Sequence, residues 1–255
     1  MSNDRRVVFL ETEPFVRDIA RFFDEHNIPH DIYTDDFSQN PSKNTELGQK
    51  LHDKFPGRLL AVGGSGKYHY ITRGLVEDFP PYVGYIHNDG HDDFNDSETP
   101  DTDTCHGFVR KIKREKMFCG TTTPIQGNSI RKGKKRVIGC MLHHEYDWEH
   151  DDNLALRYID TMPESVYVTS DMDLLFPDLF KCGFSCGSTF FHTYLEFLDI
   201  VLKRKNVKGA DIFGYDEESG LKERFVYAMT ALTLMGRDIE SLKAECDERI
   251  ETSLF

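Results

Sequence analysis

Short apolar runs, rich in β-branched and aromatic residues, recur along the chain and alternate with polar or helix-like segments. Each run has four or five residues, a length typical of β-strands. Apolar positions are nearly continuous within a run, which indicates strands that are buried on both faces. The predicted strands cover residues 6–10, 30–33, 59–62, 82–86, 136–140, 165–169 and 210–213.

Segments with helical periodicity separate most of these strands. After the first strand, Thr12 is a candidate N-cap and Pro14 a favourable first-turn residue. The apolar residues that follow fall on one helix face, at positions 15, 16, 19, 22 and 23. Two longer helices are predicted at 190–205 and 221–235. This alternation predicts a three-layer α/β/α fold, with a mostly parallel central sheet between two layers of helices.

The composition is that of a globular protein with an acidic surplus. The 255 residues include 31 Lys and Arg against 44 Asp and Glu, a net charge of −13 with His neutral. This balance disfavours general binding to nucleic acids or anionic membranes, which requires clustered basic residues. Six cysteines without an export signal are read as reduced thiols. We therefore expect a cytoplasmic protein of one domain, residues 1–255, that binds a small-molecule substrate, with homo-oligomerisation left open.

The chemically distinctive residues follow three of the predicted strands. Ligands of open α/β sheets bind beyond the carboxyl ends of the strands. The third, fourth and sixth predicted strands each lead into a segment that carries Asp, His or both. The candidate metal ligands are His69, Asp89, His91, Asp93, Asp171 and Asp173.

The charges of this set favour two divalent metal ions. Four converging carboxylates would repel one another strongly without cations, and some would have to bind protons. Two divalent ions would balance these four charges. Ligation by His and Asp without thiolate suits manganese first, with iron, cobalt, nickel or zinc as alternatives. Two ions a few ångströms apart can bridge one water and convert it to hydroxide at neutral pH, which is a nucleophile for hydrolysis.

The motifs around these residues resemble those of the ureohydrolase superfamily, which includes arginase and agmatinase. The signature Asp-x-His-x-Asp is intact at 89–93, and Ser-x-Asp-x-Asp appears as Ser170-Asp171-Met172-Asp173, with the serine one place closer. The signature Gly-Gly-Asp-His is altered to Gly-Gly-Ser-Gly-Lys-Tyr-His at 63–69. A His-Gly pair follows the second motif at the family spacing, at 106–107. The resemblance covers about residues 55 to 235.

The resemblance implies an arginase-like fold and a role for each matching residue. One metal ion would be bound by His69, Asp89, Asp93 and Asp171, and the other by Asp89, His91, Asp171 and Asp173. Asp89 and Asp171 would bridge the two ions. His106 matches the family's proton-shuttling histidine, while Asn95 and Thr102 match positions that contact the substrate.

The substrate-binding residues depart from the family pattern. Family members usually carry Asp-x-x-Glu after the last strand, and this Glu holds the substrate guanidinium. Here Gly214 stands in its place, three residues after Asp211. A guanidinium needs a planar carboxylate partner. Either Asp216 or Glu217 supplies one from a shifted loop, or the substrate is not a guanidine. A glycine at this place also resembles the related deacetylase-like branch, which cleaves amides.

Three functions are compatible with these observations. The first is hydrolysis of a C–N bond in a guanidine-type substrate by a metal-bridging hydroxide, with His106 relaying protons. The second is amide hydrolysis, such as deacetylation or removal of a formimino group. The third is a catalytically degenerate metal-binding protein, since His69 is displaced and the family Glu is absent. Simpler interpretations of single residues are a polar strand-end loop at 89–93 and a core or rim role for His87.

Overall fold

The computed structural model describes residues 5–37, 41–77, 79, 83–91, 93, 105, 107–109, 112, 159–160, 162–183, 187 and 189–237. The strands within these ranges are β1 (Arg6–Leu10), β2 (Asp31–Tyr33), β3 (Leu59–Val62), β4 (Gly84–Asn88), β5 (Ser165–Asp171) and β6 (Asn206–Phe213). The α-helices are α1 (Val16–Glu25), α2 (Pro41–Lys54), α3 (Thr72–Glu77), α4 (Phe191–Arg204) and α5 (Leu221–Leu234). None of these helices is both long and apolar enough to cross a membrane.

The six strands form one parallel sheet in the order β2-β1-β3-β6-β5-β4. Parallel neighbours require crossover connections, and α1, α2, α3 and α4 lie in the connections β1–β2, β2–β3, β3–β4 and β5–β6. All the strands therefore point their carboxyl ends toward one edge of the sheet. The predicted α/β fold with a mostly parallel central sheet is confirmed.

Helices cover both faces of the sheet, and the core is accordingly divided in two. On one face, Val7 and Phe9 of β1 belong to a cluster with buried residues of α1, α4 and α5. On the other face, Val8 and Leu10 belong to a cluster with buried residues of α2 and α3. Both pairs are fully buried, because alternate residues of a strand point to opposite faces and helices lie on each. This arrangement is the expected three-layer sandwich.

The predicted elements differ from the observed ones chiefly at their ends. β5 runs two residues further than expected and includes Asp171, while β6 begins at Asn206 rather than Ala210. The N-cap interpretation of Thr12 is wrong, because α1 begins at Val16 and its N-cap position has no side-chain cap. The Thr12 hydroxyl instead accepts a hydrogen bond from the amide of Gly64, at 3.0 Å. The strand predicted at 136–140 lies outside the described residues.

Candidate metal centre

Polar side chains form two successive levels near the carboxyl ends of the three strands β4, β5 and β6. His87 lies opposite Thr169, and Thr169 lies opposite Asp211, so that these three form one row across the strands. Two residues further along, Asp89 follows β4 and Asp171 ends β5. Residues two apart on a strand share a face. All five side chains are buried, so the carboxyl ends of these three strands carry a group of buried polar residues.

The turn after β4 brings Asp89 and His91 to Asp173. The amide of His91 donates to Oδ1 of Asp89 at 2.6 Å, and the amide of Gly90 donates to Oδ1 of Asp173 at 2.8 Å. Nδ1 of His91 lies 2.7 Å from Oδ2 of Asp173. Asp89, His91 and Asp173 each offer one donor atom within 4.8 Å of the others, a group that could hold a metal ion.

His69 reaches the same carboxylates from β3 by way of a 3₁₀ helix, Gly66–Ile71. Its Nδ1 atom lies 3.0 Å from Oδ2 of Asp89, and 3.6 Å from Oδ2 of both Asp93 and Asp171. The three extra residues of the altered Gly-Gly motif are taken up by this 3₁₀ helix, which turns the buried imidazole back toward the sheet. Displacement in the sequence therefore does not remove His69 from the cluster.

Asp93 completes the carboxylate set from an unusual backbone conformation. Its φ angle is +45°, in the left-handed region that Asp and Asn adopt more readily than other non-glycine residues. Its side chain is buried, with Oδ2 facing both His69 and His87. Backbone strain of this kind persists where surrounding structure enforces it, often at functional sites.

His87 belongs to this cluster, a placement that the sequence interpretation as a core or rim histidine did not include. Its Nε2 atom lies 3.4 Å from Oδ2 of Asp89 and 3.8 Å from Oδ2 of Asp93. Its ring stacks on that of His69, with centroids 5.3 Å apart. His69, His87 and Asp89 form a second group that could hold a metal ion. The signal in the sequence is the two-residue spacing of His87 before Asp89, since both must face the same side of the strand.

The serine of the Ser-Asp-Met-Asp motif does not face the cluster. Ser170 accepts a hydrogen bond from the hydroxyl of Tyr194 on α4, so it points toward the opposite helical layer. Thr169, one residue earlier, shares the face of Asp171 and contacts His69. The hydroxyl beside the candidate ligands is therefore that of Thr169.

Two glycines lie directly against the carboxylate of Asp171. A Cβ atom at Gly66 would overlap Oδ2 of Asp171, and one at Gly214 would lie 2.5 Å from Oδ1. Gly214 also has a φ of +105°, which residues with a side chain rarely adopt. Its amide donates to the carbonyl of Gly64 at 2.8 Å, which fixes the loop after β6 against the loop after β3. No glutamate fits at position 214 in this backbone.

The four carboxylates do not share one protonation state. Burial, followed by the charges of neighbouring aspartates, raises the pKa values of Asp93 and Asp171 well above their usual range. Burial and the charge of Asp89 raise the pKa of Asp173 to about 6. Burial acts in the same direction on Asp89, but its close contacts with His69 and His91 outweigh burial and hold its pKa well below the usual range. Burial lowers the pKa of His87 to about 3 and keeps its ring neutral.

The donor set fits divalent cations. Nδ1 of His69 is buried and has no hydrogen-bond partner among the described residues, although three carboxylate oxygens lie within 3.6 Å. A cation among these atoms would satisfy the nitrogen and relieve the repulsion between the carboxylates. His69, Asp89, Asp93 and Asp171 would surround one such position, which we call the inner position. Asp89, His91 and Asp173 would surround another, the outer position, so Asp89 lies between the two.

Of the four predicted substrate-binding residues, Asp216 and Glu217 are among the described residues. Asp216 accepts hydrogen bonds from the amides of Gly183, at 2.6 Å, and Glu218, at 2.9 Å, and thereby links the loop after β6 to the segment that contains Gly183. Glu217 is exposed, and its charge is one of those that raise the pKa of Lys67. His106, Asn95 and Thr102 lie outside the described residues.

Comparison with known proteins gives matches of structure and none of sequence. No protein-family model matches the chain, and no curated protein matches its sequence. Proclavaminate amidino hydrolase from Streptomyces clavuligerus superposes with a TM-score of 0.67 at 15% identity, over 92% of this chain and 93% of that one. The chain has the ureohydrolase fold. Formimidoylglutamase from Bacillus subtilis gives a TM-score of 0.64 at 14% identity, over 91% and 87% of the two chains.

An arginase shares the ureohydrolase fold with this chain to a similar degree. The enzyme from Bacillus cereus superposes with a TM-score of 0.63 at 16% identity, over 92% of this chain and 99% of that one. The predicted resemblance to this superfamily is confirmed as a resemblance of fold. At such identities the sequences have diverged widely, so the roles of the individual residues must be argued from the site itself.

The raised pKa values predict how the metal-free protein responds to pH. A carboxyl group whose pKa is higher in the folded state stabilises the fold while protonated, and this stabilisation is lost as the pH rises through the folded-state pKa. We expect the free energy of unfolding of metal-free protein to fall as the pH rises through about 6, the pKa of Asp173. Each unit of pKa shift corresponds to about 1.4 kcal/mol.

Denaturant unfolding at pH 5 and pH 7, with a chelator and then with saturating manganese, measures this effect. Manganese should restore stability at pH 7, because an ion that binds the folded state alone shifts the equilibrium toward it. His87 acts in the opposite direction over this range, because burial lowers its pKa to about 3. The wild type is therefore compared with Asp173→Asn, and an equal pH dependence of the two metal-free proteins would contradict the raised pKa of Asp173.

Proposed function

We propose that the protein is a metal-dependent hydrolase, a divergent member of the ureohydrolase superfamily, that cleaves a C–N bond of a guanidine-type small molecule. The observation that carries this proposal is the position of His69 Nδ1, which is buried and faces three carboxylate oxygens at 3.0–3.6 Å. The fold supports it, because proteins with this fold include an amidino hydrolase and an arginase. The proposal places the enzyme in the cytoplasm.

The proposed cofactor is a pair of divalent ions, with manganese the first candidate. His69, Asp89, Asp93 and Asp171 would hold the ion at the inner position. Asp89, His91, Asp171 and Asp173 would hold the ion at the outer position, so that Asp89 and Asp171 bridge. When bound, the ions supply a hydroxide at neutral pH and stabilise negative charge that develops on the substrate.

The protein's own residues would position the reactants and move protons. The amides of Gly90 and His91 hold the carboxylates of Asp173 and Asp89 in place. The ring of His91 is 43% exposed, which makes it the candidate ligand most open to an incoming substrate. His106 is assigned the transfer of a proton to the leaving nitrogen or to solvent, and Asn95 and Thr102 the contact with the far end of the substrate.

Amide hydrolysis is the second candidate, and Gly214 is the observation that favours it. A backbone glycine pressed against Asp171 cannot supply the carboxylate that grips a guanidinium. A substrate with a neutral amide, or with a formimino group, would not need that partner. The same fold occurs in a formimidoylglutamase.

Metal analysis combined with a substrate screen tests the proposal. We expect protein dialysed against manganese to hold about two ions per chain, because two divalent ions balance four carboxylates. The same samples are assayed for urea and ammonia release over guanidines, and for acid release over acylated amines. Turnover of a guanidine selects the first reaction, and turnover of an acylated amine selects the second.

The His106→Ala variant is the control for this screen. It should keep its metal content and lower turnover about 10²-fold or more, the usual scale for a positioned acid or base. A metal content near zero in wild-type protein would refute the metal centre. Two bound ions without turnover of any substrate class would instead favour the degenerate metal-binding protein.

A further inference from the structure

A chain of hydrogen bonds leads from His69 away from the candidate metal positions. Nε2 of His69 lies 2.6 Å from Oγ1 of Thr169, and the Thr169 hydroxyl donates to Oδ1 of Asp211. The hydroxyl of Tyr167 donates to the other oxygen of Asp211, Oδ2, at 2.8 Å. All four side chains are buried at no more than 3% exposure. The two ring nitrogens of His69 therefore face carboxylates in different ways. Nδ1 lies directly beside them, whereas Nε2 is linked to Asp211 through the hydroxyl of Thr169.

The number of protons in this chain determines the tautomer of His69. A hydroxyl carries one proton, and that of Thr169 is given to the carboxylate of Asp211. Thr169 must therefore accept in its bond with His69, and the proton in that bond belongs to Nε2. A neutral imidazole has one protonated nitrogen and one with an unshared electron pair. Nδ1 is consequently the nitrogen of His69 that can offer an electron pair to an ion among Asp89, Asp93 and Asp171.

The opposite tautomer fits the contacts less well. It would place the proton on Nδ1 and leave Nε2 as an acceptor, so that Nε2 and Asp211 would compete for the single proton of Thr169. Nδ1 lies 3.0 Å from Oδ2 of Asp89 yet makes no hydrogen bond of acceptable geometry with any described residue. A cation bound between Nδ1 and these oxygens would relieve the repulsion between the electron pair and the carboxylates.

We infer that Thr169 and Asp211 are positioning residues, which hold His69 as the Nε2–H tautomer and make Nδ1 a ligand for the ion at the inner position. This inference rests on the proposed metal centre and adds residues that lie beneath it. Partners of this kind orient a ligating histidine and raise its basicity, and their loss commonly lowers metal affinity 10–100-fold. His91 has an exposed ring and a direct contact with Asp173, so the outer position does not depend on Thr169.

Titration of the full-length protein with Mn²⁺ alone, by calorimetry, tests the role of Thr169. Thr169→Val keeps the shape of the side chain and removes the acceptor, so it should weaken one of the two ions about 10–100-fold and leave the other unchanged. Thr169→Ser restores the hydroxyl and should restore the affinity. Thr230→Val is the matched control, because Thr230 is also buried but its hydroxyl donates to the carbonyl of Val226 within α5.

A spectroscopic measurement on wild-type protein tests the tautomer without any variant that could misfold. Two-bond ¹H–¹⁵N correlation spectra of metal-free protein with ¹⁵N-labelled histidine rings distinguish the two tautomers, and a His69→Gln spectrum assigns the signal. We expect His69 to be protonated at Nε2. A ring that carries its proton at Nδ1 and none at Nε2, or Thr169→Val protein that binds both ions as tightly as wild type, would overturn the inference. Absence of Mn²⁺ binding by wild-type protein would refute the proposed function, while the spectrum would still decide the tautomer.

Discussion

The Asp171→Asn variant should lose both metal ions and with them all hydrolytic activity. The carboxylate of Asp171 is proposed to bridge the two positions, since its Oδ2 lies 3.6 Å from His69 Nδ1 and its Oδ1 accepts a hydrogen bond from the amide of Asp173 at 3.2 Å. Removing a charge shared by both ions should cost more than the 10–100-fold typical of a residue that only orients a ligand. Metal content by mass spectrometry and turnover on the substrate found in the screen measure the result.

Asp173→Asn is the matched comparison, because Asp173 lies beside His91 and Gly90, at the outer position alone. It should retain one ion per chain. Equal loss of metal in the two variants would show that Asp171 does not bridge. The stability of the metal-free variant serves as a control for correct folding. Burial raises the pKa of Asp171 and so favours a neutral side chain there. Metal-free Asp171→Asn protein should therefore be at least as stable at pH 7 as the metal-free wild type.

Free arginine should be a poor substrate even when both ions are bound. The sequence resemblance predicts the guanidinium-binding glutamate at the position of Gly214, and a Cβ there would lie 2.5 Å from Asp171 and 2.7 Å from the amide of Met172. Loss of a buried charge partner costs about 2–5 kcal/mol, or roughly 30- to 5,000-fold in affinity. Steady-state kinetics with arginine, beside the substrate found in the screen, measure this discrimination.

Two carboxylates could overturn this prediction. Asp216 accepts hydrogen bonds from the amides of Gly183 and Glu218, which leaves it poorly placed to bind a substrate. Glu217 is exposed. A kcat/KM for arginine of about 10⁴ M⁻¹s⁻¹ or more would show that a substitute exists. Asp216→Asn and Glu217→Gln would then identify which of the two supplies it.

The sequence was sufficient to predict the sheet, because burial on both faces leaves a nearly continuous apolar run. Residues 6–10 and 59–62 were predicted exactly as β1 and β3 are observed. The ends of β5 and β6 were predicted less well. β5 continues through the polar residues Ser170 and Asp171, and β6 begins with alternating polar residues from Asn206. Polar residues at either end of a strand interrupt the apolar signal that marks it, and only some of them, such as Asp171, belong to the candidate site.

The six candidate ligands were predicted together because their residue types and strand-end positions are unusual, and the structure brings all six into one cluster. Their role as ligands remains a prediction. The residues beneath them were missed for the opposite reason. Thr169 and Asp211 resemble ordinary polar interruptions of a strand, and their relation to His69 appears only when β5 and β6 are placed in register. The approach of His69 depends on a 3₁₀ helix that periodicity does not reveal.

The two glycines against Asp171 have a consequence for the entropy of metal binding. Gly66 and Gly214 bring backbone to both oxygens of the carboxylate, so its rotation is restricted before any ion arrives. Immobilising a flexible side chain on binding costs about 0.5–1.5 kcal/mol. The Asp171 side chain is already ordered when the metal-free chain folds, so this cost does not lower its affinity for an ion. A larger residue at either position would displace the carboxylate, so the two glycines keep this candidate ligand in one orientation before metal binding.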